Sequence, residues 1–107
     1  MKTSSLLLAL SLASFMAPTG GAQAADSASG GALARRLCVN CHVVAPGEGA
    51  GQATAGIPSF KAVADKPGQT TDKIKDFILN PHPPMPQVQL TNNERANLAA
   101  YIFSLKD

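Results

Sequence analysis

A five-residue segment, Cys38-Val39-Asn40-Cys41-His42, constrains the fold of this chain more than any other feature. Two thiols three positions apart lie on the same side of a helical turn, so both sulfurs can reach one edge of a porphyrin. The imidazole that follows directly can offer a nitrogen to the iron at the centre of the ring. This spacing is typical of covalent haem attachment and predicts a fold built around one haem c.

Three other interpretations of the two cysteines agree less well with the rest of the chain. A thioredoxin-like redox pair requires a β-α-β setting, and the sequence has no run of alternating β-branched residues. A zinc site would need a fourth ligand, for which only His82 is a strong nitrogen or sulfur donor. A disulfide between Cys38 and Cys41 would close a very short loop, so it would remove little entropy from the unfolded chain.

The first 24 residues have the composition of a cleavable secretory signal peptide. Lys2 gives a basic tip, residues 6–17 are apolar or small, and Ala22-Gln23-Ala24 is a small-residue cleavage site. The apolar stretch is shorter than the roughly 20 residues that a membrane-spanning helix needs, although an uncleaved membrane anchor is the alternative. We expect cleavage after Ala24 or Ala25, and hence a periplasmic protein that does not span the membrane afterwards.

Residues 25–107 are enough for one small domain. A domain of this size buries a modest share of its surface, so a large apolar prosthetic group would supply much of its core. We therefore predict that the chain is largely unfolded when haem is not attached.

The charge balance of the predicted mature chain excludes a strongly basic protein. Of the nine lysines and arginines, Lys2 falls in the signal peptide, so eight basic residues remain against seven acidic ones. Lysines and aspartates alternate over 61–76, which is typical of an ordinary solvated surface. We expect no nucleic-acid partner, because the chain has no basic patch of the kind that binds phosphates.

Hydrophobic periodicity predicts an all-α domain with three main helices and long loops. The first helix is expected to begin near Ser29 as its N-cap and to run into the cysteine pair, with Leu33 and Leu37 on its inner face. A long loop rich in glycine and proline follows the cysteine motif. A short helical turn at 58–64 is expected to direct Phe60 inward.

Capping residues predict the two remaining helices. Thr70 or Thr71 begins one of them, and Pro81 ends it because the residue before a proline is forced out of the helical region. Thr91 and Glu94 form a capping-box pattern at the start of the last helix. The expected buried stripes are Ile74, Phe77 and Ile78 in the first of these helices, and Leu98, Tyr101, Ile102 and Leu105 in the second.

The iron needs a second axial ligand, which can be His82, Met85 or water. Met85 is the one methionine outside the predicted signal peptide, and prolines on both sides restrict the conformations of its loop. Such a loop can hold a weak thioether ligand against the iron. We predict Met85 as the sixth ligand and expect His82, three residues earlier on the same rigid segment, to face solvent.

With these residues placed, the chain resembles the small class I monohaem cytochromes c of bacteria over residues 29–107. The resemblance depends on the Cys-Val-Asn-Cys-His motif and on the order of haem motif, methionine loop and C-terminal helix. It implies that Gly30 lets the first helix cross the last one closely, against Tyr101 with Leu98 beside it. The sequence departs from the family at Ala34, where a larger apolar residue is common.

The resemblance also implies roles around the haem. Pro58, rather than Pro46, is expected to accept a hydrogen bond from His42, which would orient the histidine and strengthen it as a donor. Phe60 and Phe77 are expected to line the haem pocket. Phe77 would take the packing role of the aromatic residue that often binds a haem propionate, but its side chain has no hydrogen-bond donor.

Iron that is held by the protein on both sides has no place for a substrate, which implies outer-sphere electron transfer rather than enzymatic activity. The expected partners are redox proteins: a dehydrogenase or reductase as donor, and a terminal oxidase or another protein as acceptor. Docking is expected to be weak and brief. Two alternatives remain open, an electron-accepting haem subunit of a dehydrogenase complex and a five-coordinate haem enzyme or gas sensor.

Overall fold

The computed structural model describes residues 13–14, 16 and 24–107, and every regular element within these ranges is a helix. The helices are α1 (Ser27–Leu37), α2 (Phe60–Ala64), α3 (Thr71–Leu79) and α4 (Asn92–Ser104). The predicted all-α fold with three main helices is confirmed, and α2 corresponds to the short helical turn. Most of the predicted signal peptide lies outside the described residues. None of the described helices has both the length and the apolar character needed to cross a membrane.

Helix α1 begins earlier than the sequence predicts. Asp26, not Ser29, is its N-cap, and the Asp26 carboxylate accepts hydrogen bonds from the Ala28 N–H at 3.0 Å and the Ser29 hydroxyl at 2.6 Å. The N–H of Asp26 donates to the side-chain oxygen of Asn97 in α4 at 2.8 Å. Aspartate and serine are both good N-caps, and this tertiary contact favours the aspartate.

The crossing of α1 over α4 is the most extensive helix contact. Gly30 is buried there, and a Cβ at this position would overlap the carbonyl of Asn97. The close glycine contact that the resemblance implies is therefore present. The ring of Tyr101 lies at the same crossing and packs on the neighbouring Gly31, where an added Cβ would come within 3.0 Å of it.

The core joins all four helices to the loop that follows the cysteine motif. Its buried apolar members are Leu33, Ala34, Val44, Ala50, Phe60, Ala64, Ile74, Ile78, Leu98, Ala99 and Ile102. Two residues expected in it lie outside, since Leu37 is 44% exposed and Phe77 is 43% exposed. Leu37 is the last residue of α1, and the small Ala34 faces the core in its place. Phe77 lies beside the buried stripe of α3 that Ile74 and Ile78 form, and its ring contacts His82.

The capping predictions for the later helices are confirmed. Thr70 is the N-cap of α3, and α3 ends at Leu79, two residues before Pro81. The capping box of α4 is complete: the Glu94 N–H donates to the Thr91 hydroxyl at 3.1 Å, and the Thr91 N–H donates to the Glu94 carboxylate at 2.8 Å. These contacts fix the ends of the loop that carries the predicted methionine ligand.

Candidate haem-binding site

The cysteine motif forms a hydrogen-bonded turn directly after α1. The N–H groups of His42 and Cys41 both donate to the Cys38 carbonyl, at 2.9 Å and 3.2 Å. The first helix runs into the cysteine pair as expected: α1 ends at Leu37, and Cys38 is its C-cap. This turn keeps Cys38, Cys41 and His42 together within a single hydrogen-bonded turn of the backbone. Neither cysteine is in a disulfide.

The two thiols have different surroundings. Cys41 is exposed, whereas Cys38 is half-buried and packs against the core. Burial raises the pKa of the Cys38 thiol to about 11, and the neighbouring Cys41 adds to the shift. A charged thiolate is therefore disfavoured at this position. A thioether carries no charge, so covalent attachment suits the half-buried position.

The His42 ring is held by two contacts. Its Nδ1 lies 2.6 Å from the carbonyl oxygen of Pro58, and its ring centroid lies 5.2 Å from that of Phe60. A carbonyl oxygen only accepts hydrogen bonds, so Nδ1 must carry the proton and donate it. In the neutral imidazole the lone pair is then on Nε2, the nitrogen available to a metal. Pro58, rather than Pro46, is the proline in this contact, as the resemblance implies.

The loop after the motif folds back over the His42 backbone. The Val44 N–H donates to the Ala50 carbonyl at 2.7 Å, and the Gln52 N–H donates to the Val39 carbonyl at 3.1 Å. Gly51 has a φ of 109°, and a Cβ there would overlap the carbonyl of His42. Glycine is therefore required at 51 both for its backbone conformation and for space.

The remaining predicted site residues lie in α3 and in the loop between α3 and α4. Met85 is half-buried, and its N–H donates to the carbonyl of His82 at 2.9 Å. His82 is exposed, as expected, and its ring centroid lies 5.2 Å from that of Phe77. The structure thus places Met85, His82 and Phe77 together, while His42 lies with the residues that follow the motif.

The donor set fits a haem c better than a metal ion alone. Within residues 24–107 no group of three or more histidine, cysteine, aspartate or glutamate side chains could hold a metal. Two thiols on one turn and an imidazole with its Nδ1 proton fixed are what thioether attachment and axial iron ligation require.

Comparisons with known proteins agree with this donor set. Residues 25–102 match the family model described as "Cytochrome C oxidase, cbb3-type, subunit III". A cytochrome c-552 of Bradyrhizobium diazoefficiens is 46% identical over 85 residues, which cover 79% of this chain and 80% of the relative. No solved structure matches the chain. The chain therefore belongs to the cytochrome c family, as a small class I c-type cytochrome that transfers electrons on a covalently bound haem c.

Proposed function

We propose that this protein is a periplasmic carrier of single electrons, whose haem iron has His42 and Met85 as axial ligands. The observation that carries the proposal is the 2.6 Å contact between Nδ1 of His42 and the Pro58 carbonyl oxygen. This contact fixes the proton on Nδ1, so Nε2 is the donor for iron. It also limits rotation of the ring, as an axial ligand requires.

Bound haem c supplies a one-electron couple between ferrous and ferric iron. Cys38 and Cys41 would hold the group permanently as thioethers. The Pro58 carbonyl would make the His42 imidazole a stronger donor, while the thioether of Met85 would favour the ferrous state. Since side chains would fill both axial positions, a substrate could not reach the iron, and the proposed role is electron transfer without catalysis.

The proposed pocket has a phenylalanine beside His42 and another beside the segment that contains Met85. Phe60 lies against the ring of His42, and Phe77 lies against His82 in the segment that contains Met85. We propose both phenylalanines as pocket residues that limit the access of water to the haem. A drier pocket strengthens the influence of each ligand on the iron, because the local dielectric constant is lower.

The assignment of Met85 is supported by how its loop is tied. The Gln87 side chain donates to the Leu79 carbonyl at 3.4 Å, which links the loop to the end of α3. Arg95 of α4 donates to the Leu90 carbonyl at 3.2 Å on the other side. The prolines between these points further limit the backbone. A loop restrained in this way can hold a weak ligand without a large loss of entropy.

Export is proposed from the character of residues 1–24. The family match begins at residue 25, directly after the Ala22-Gln23-Ala24 site. Mass spectrometry of the protein from the periplasmic fraction tests this point. We expect a chain that begins at Ala25 or Asp26 and carries one haem. A haem-loaded chain that retains residues 1–24 would contradict cleavage.

Carbon monoxide binding tests the proposed ligation. Wild-type ferrous protein at neutral pH should bind carbon monoxide poorly, because Met85 occupies the sixth position. The Met85→Ala protein should bind it rapidly, while the control His82→Ala should behave like wild type. Rapid and tight binding by the wild type would overturn the proposal and favour a five-coordinate haem enzyme or gas sensor.

A bound electron-transfer subunit is the second candidate. The matching family model is described as an oxidase subunit, which favours a cytochrome held in a complex. An electron-accepting subunit of a dehydrogenase would have the same haem site. Size-exclusion chromatography of a gently prepared extract separates these cases. A free carrier should elute as a small protein, whereas a subunit should elute with its complex. The free carrier would exchange electrons with a dehydrogenase or reductase as donor and a terminal oxidase as acceptor.

A further inference from the structure

We infer that Tyr101 is a positioning residue for His42 and acts through the loop that follows the cysteine motif. The Tyr101 hydroxyl donates a hydrogen bond of 2.6 Å to the carbonyl of Val44, which is 57 positions away in sequence. Val44 is fully buried, so without this donor its carbonyl would have no access to water. The inference rests on the proposed role of His42 as an axial ligand.

Tyr101 is well placed for this role because the helices fix its position. Its ring packs on Gly31 at the crossing of α1 and α4. On α4, Leu98 lies one turn before Tyr101 and Ile102 directly follows it. Both are buried, with 4% of the surface of each exposed. The hydroxyl is therefore positioned by the helix core, and the loop is held to that core.

Two contacts connect Val44 to the histidine. The carbonyl of the preceding residue, Val43, accepts a hydrogen bond from the N–H of Phe60 at 2.9 Å. The Phe60 ring packs on His42, and Pro58, two residues before Phe60, accepts the Nδ1 hydrogen bond. Movement of the backbone at 43–44 therefore shifts the segment that orients the imidazole.

Loss of the tyrosine hydroxyl should weaken the contact between His42 and Pro58. The freed Val44 carbonyl has to find another partner, so the backbone at 43–44 gains mobility and the segment at 58–60 follows it. A less firmly bonded Nδ1 proton makes the imidazole a poorer donor, which favours ferrous over ferric iron. The reduction potential should then rise, and the Nδ1 proton should exchange faster with solvent.

Three variants of the haem-loaded protein separate positioning from general stability. Tyr101→Phe keeps the ring on Gly31 and removes only the hydroxyl. Ser104→Ala removes another α4 hydroxyl, which donates to the Tyr101 carbonyl at 2.5 Å within the same helix. Ile102→Val loosens the core without removing a hydrogen bond to the loop, so it reports the effect of lower stability alone.

The readouts are the midpoint potential and the exchange of the His42 Nδ1 proton, followed by NMR in the ferrous protein. In Tyr101→Phe the potential should rise and exchange should quicken by about tenfold, as expected for loss of one hydrogen bond to a buried carbonyl. Ser104→Ala should match wild type in both. Ile102→Val should lower the melting temperature and leave the potential unchanged.

Equal potentials and exchange rates in Tyr101→Phe and Ile102→Val would overturn the inference, because Tyr101 would then contribute only to stability. That result leaves the proposed function standing if wild-type iron is six-coordinate and low-spin. Failure of the proposed function has a different signature, since His42→Ala protein would retain the wild-type low-spin spectrum. That result would also overturn the inference about Tyr101, because His42 would then not be an axial ligand.

Discussion

Gly30 in α1 lies directly against the backbone carbonyl of Asn97 in α4, with no room for a Cβ between them. The side chain of Asn97 also accepts the N–H of Asp26 at 2.8 Å, at the N-cap of α1. Asn97 therefore contacts the N-cap of α1 and, one turn later, Gly30 within the helix. Because the cysteine motif follows α1 directly, these contacts also help to place the haem-attachment turn.

Gly30→Ala should destabilise the haem-loaded protein by about 1–3 kcal/mol, the usual cost of forcing extra atoms into a packed core. The higher helix propensity of alanine, worth about 0.5–1 kcal/mol, offsets only part of this loss. Gly31→Ala is the graded comparison, because its Cβ meets side-chain atoms of Tyr101 and Arg35 rather than backbone. Urea unfolding measures the free energy of unfolding of both variants. A Gly30→Ala protein as stable as wild type would show that the helices can separate easily.

Thr91→Ala should lower stability by about 1 kcal/mol, because the variant loses the hydroxyl that accepts the Glu94 N–H at the start of α4. In the variant, the Glu94 carboxylate can still accept a hydrogen bond from the backbone N–H of residue 91, so the helix should shorten rather than unfold. Thr54→Ala, in an exposed loop, is the control. Equal unfolding free energies for the two variants would rule out a contribution from the capping box.

Acid should remove the contribution of the ion pairs through which Lys61 of α2 contacts Asp65 and Asp107. The Lys61 ammonium lies 2.8 Å from a carboxylate oxygen of Asp65 and 2.5 Å from one of Asp107. The hydrogen bond from Lys61 to Asp65 is the main reason that the pKa of Asp65 lies below its ordinary value of 3.8. Since the pKa is lower in the folded state, the pair stabilises the fold above pH 3.8. This stabilisation disappears as the pH falls through the lowered pKa.

Lys61→Met should therefore reduce the fall in melting temperature when the pH is lowered below 3.8. The change should be small, because all three side chains are exposed to water. Lys66→Met, which removes a lysine that forms no ion pair within residues 24–107, is the control. If both variants keep the acid sensitivity of wild type, the Lys61 contacts do not contribute to the pH dependence of stability.

The chain without its haem attachment should be largely unfolded. The described core has eleven buried apolar residues, of which four are alanines, and Val44 is the largest side chain that is fully buried. Such a core provides limited hydrophobic stabilisation for a small domain. Circular dichroism of the Cys38→Ala, Cys41→Ala chain measures this. A cooperative melt with native helix content would contradict the prediction.

The parts of the fold that sequence could predict depend on neighbouring residues. The capping box of α4 joins Thr91 to Glu94, three positions away, and Thr70 caps α3 within its own first turn. Pro81 ends α3 through sterics that act on the residue before it. The cysteine motif is local in the same way. Each of these contacts involves only a few residues, so the local sequence is enough to identify it.

The features that sequence missed depend on contacts between distant segments. Asp26 rather than Ser29 caps α1, and its N–H bonds to Asn97, 71 positions away. The bond from Tyr101 to Val44 spans 57 positions, and neither residue has a pattern that reveals it. Phe77 has the spacing of a buried residue, yet which side of α3 meets α4 is decided by tertiary packing.

The ferric absorption spectrum tests the central claim most directly, because low-spin ferric haem with a thioether as sixth ligand gives a weak red charge-transfer band that a second histidine ligand does not give. Wild-type protein should show this band, His82→Ala should retain it, and Met85→Ala should lose it. Loss of low-spin character in His82→Ala, with the wild-type spectrum retained in Met85→Ala, would contradict the account and assign the sixth ligand to His82.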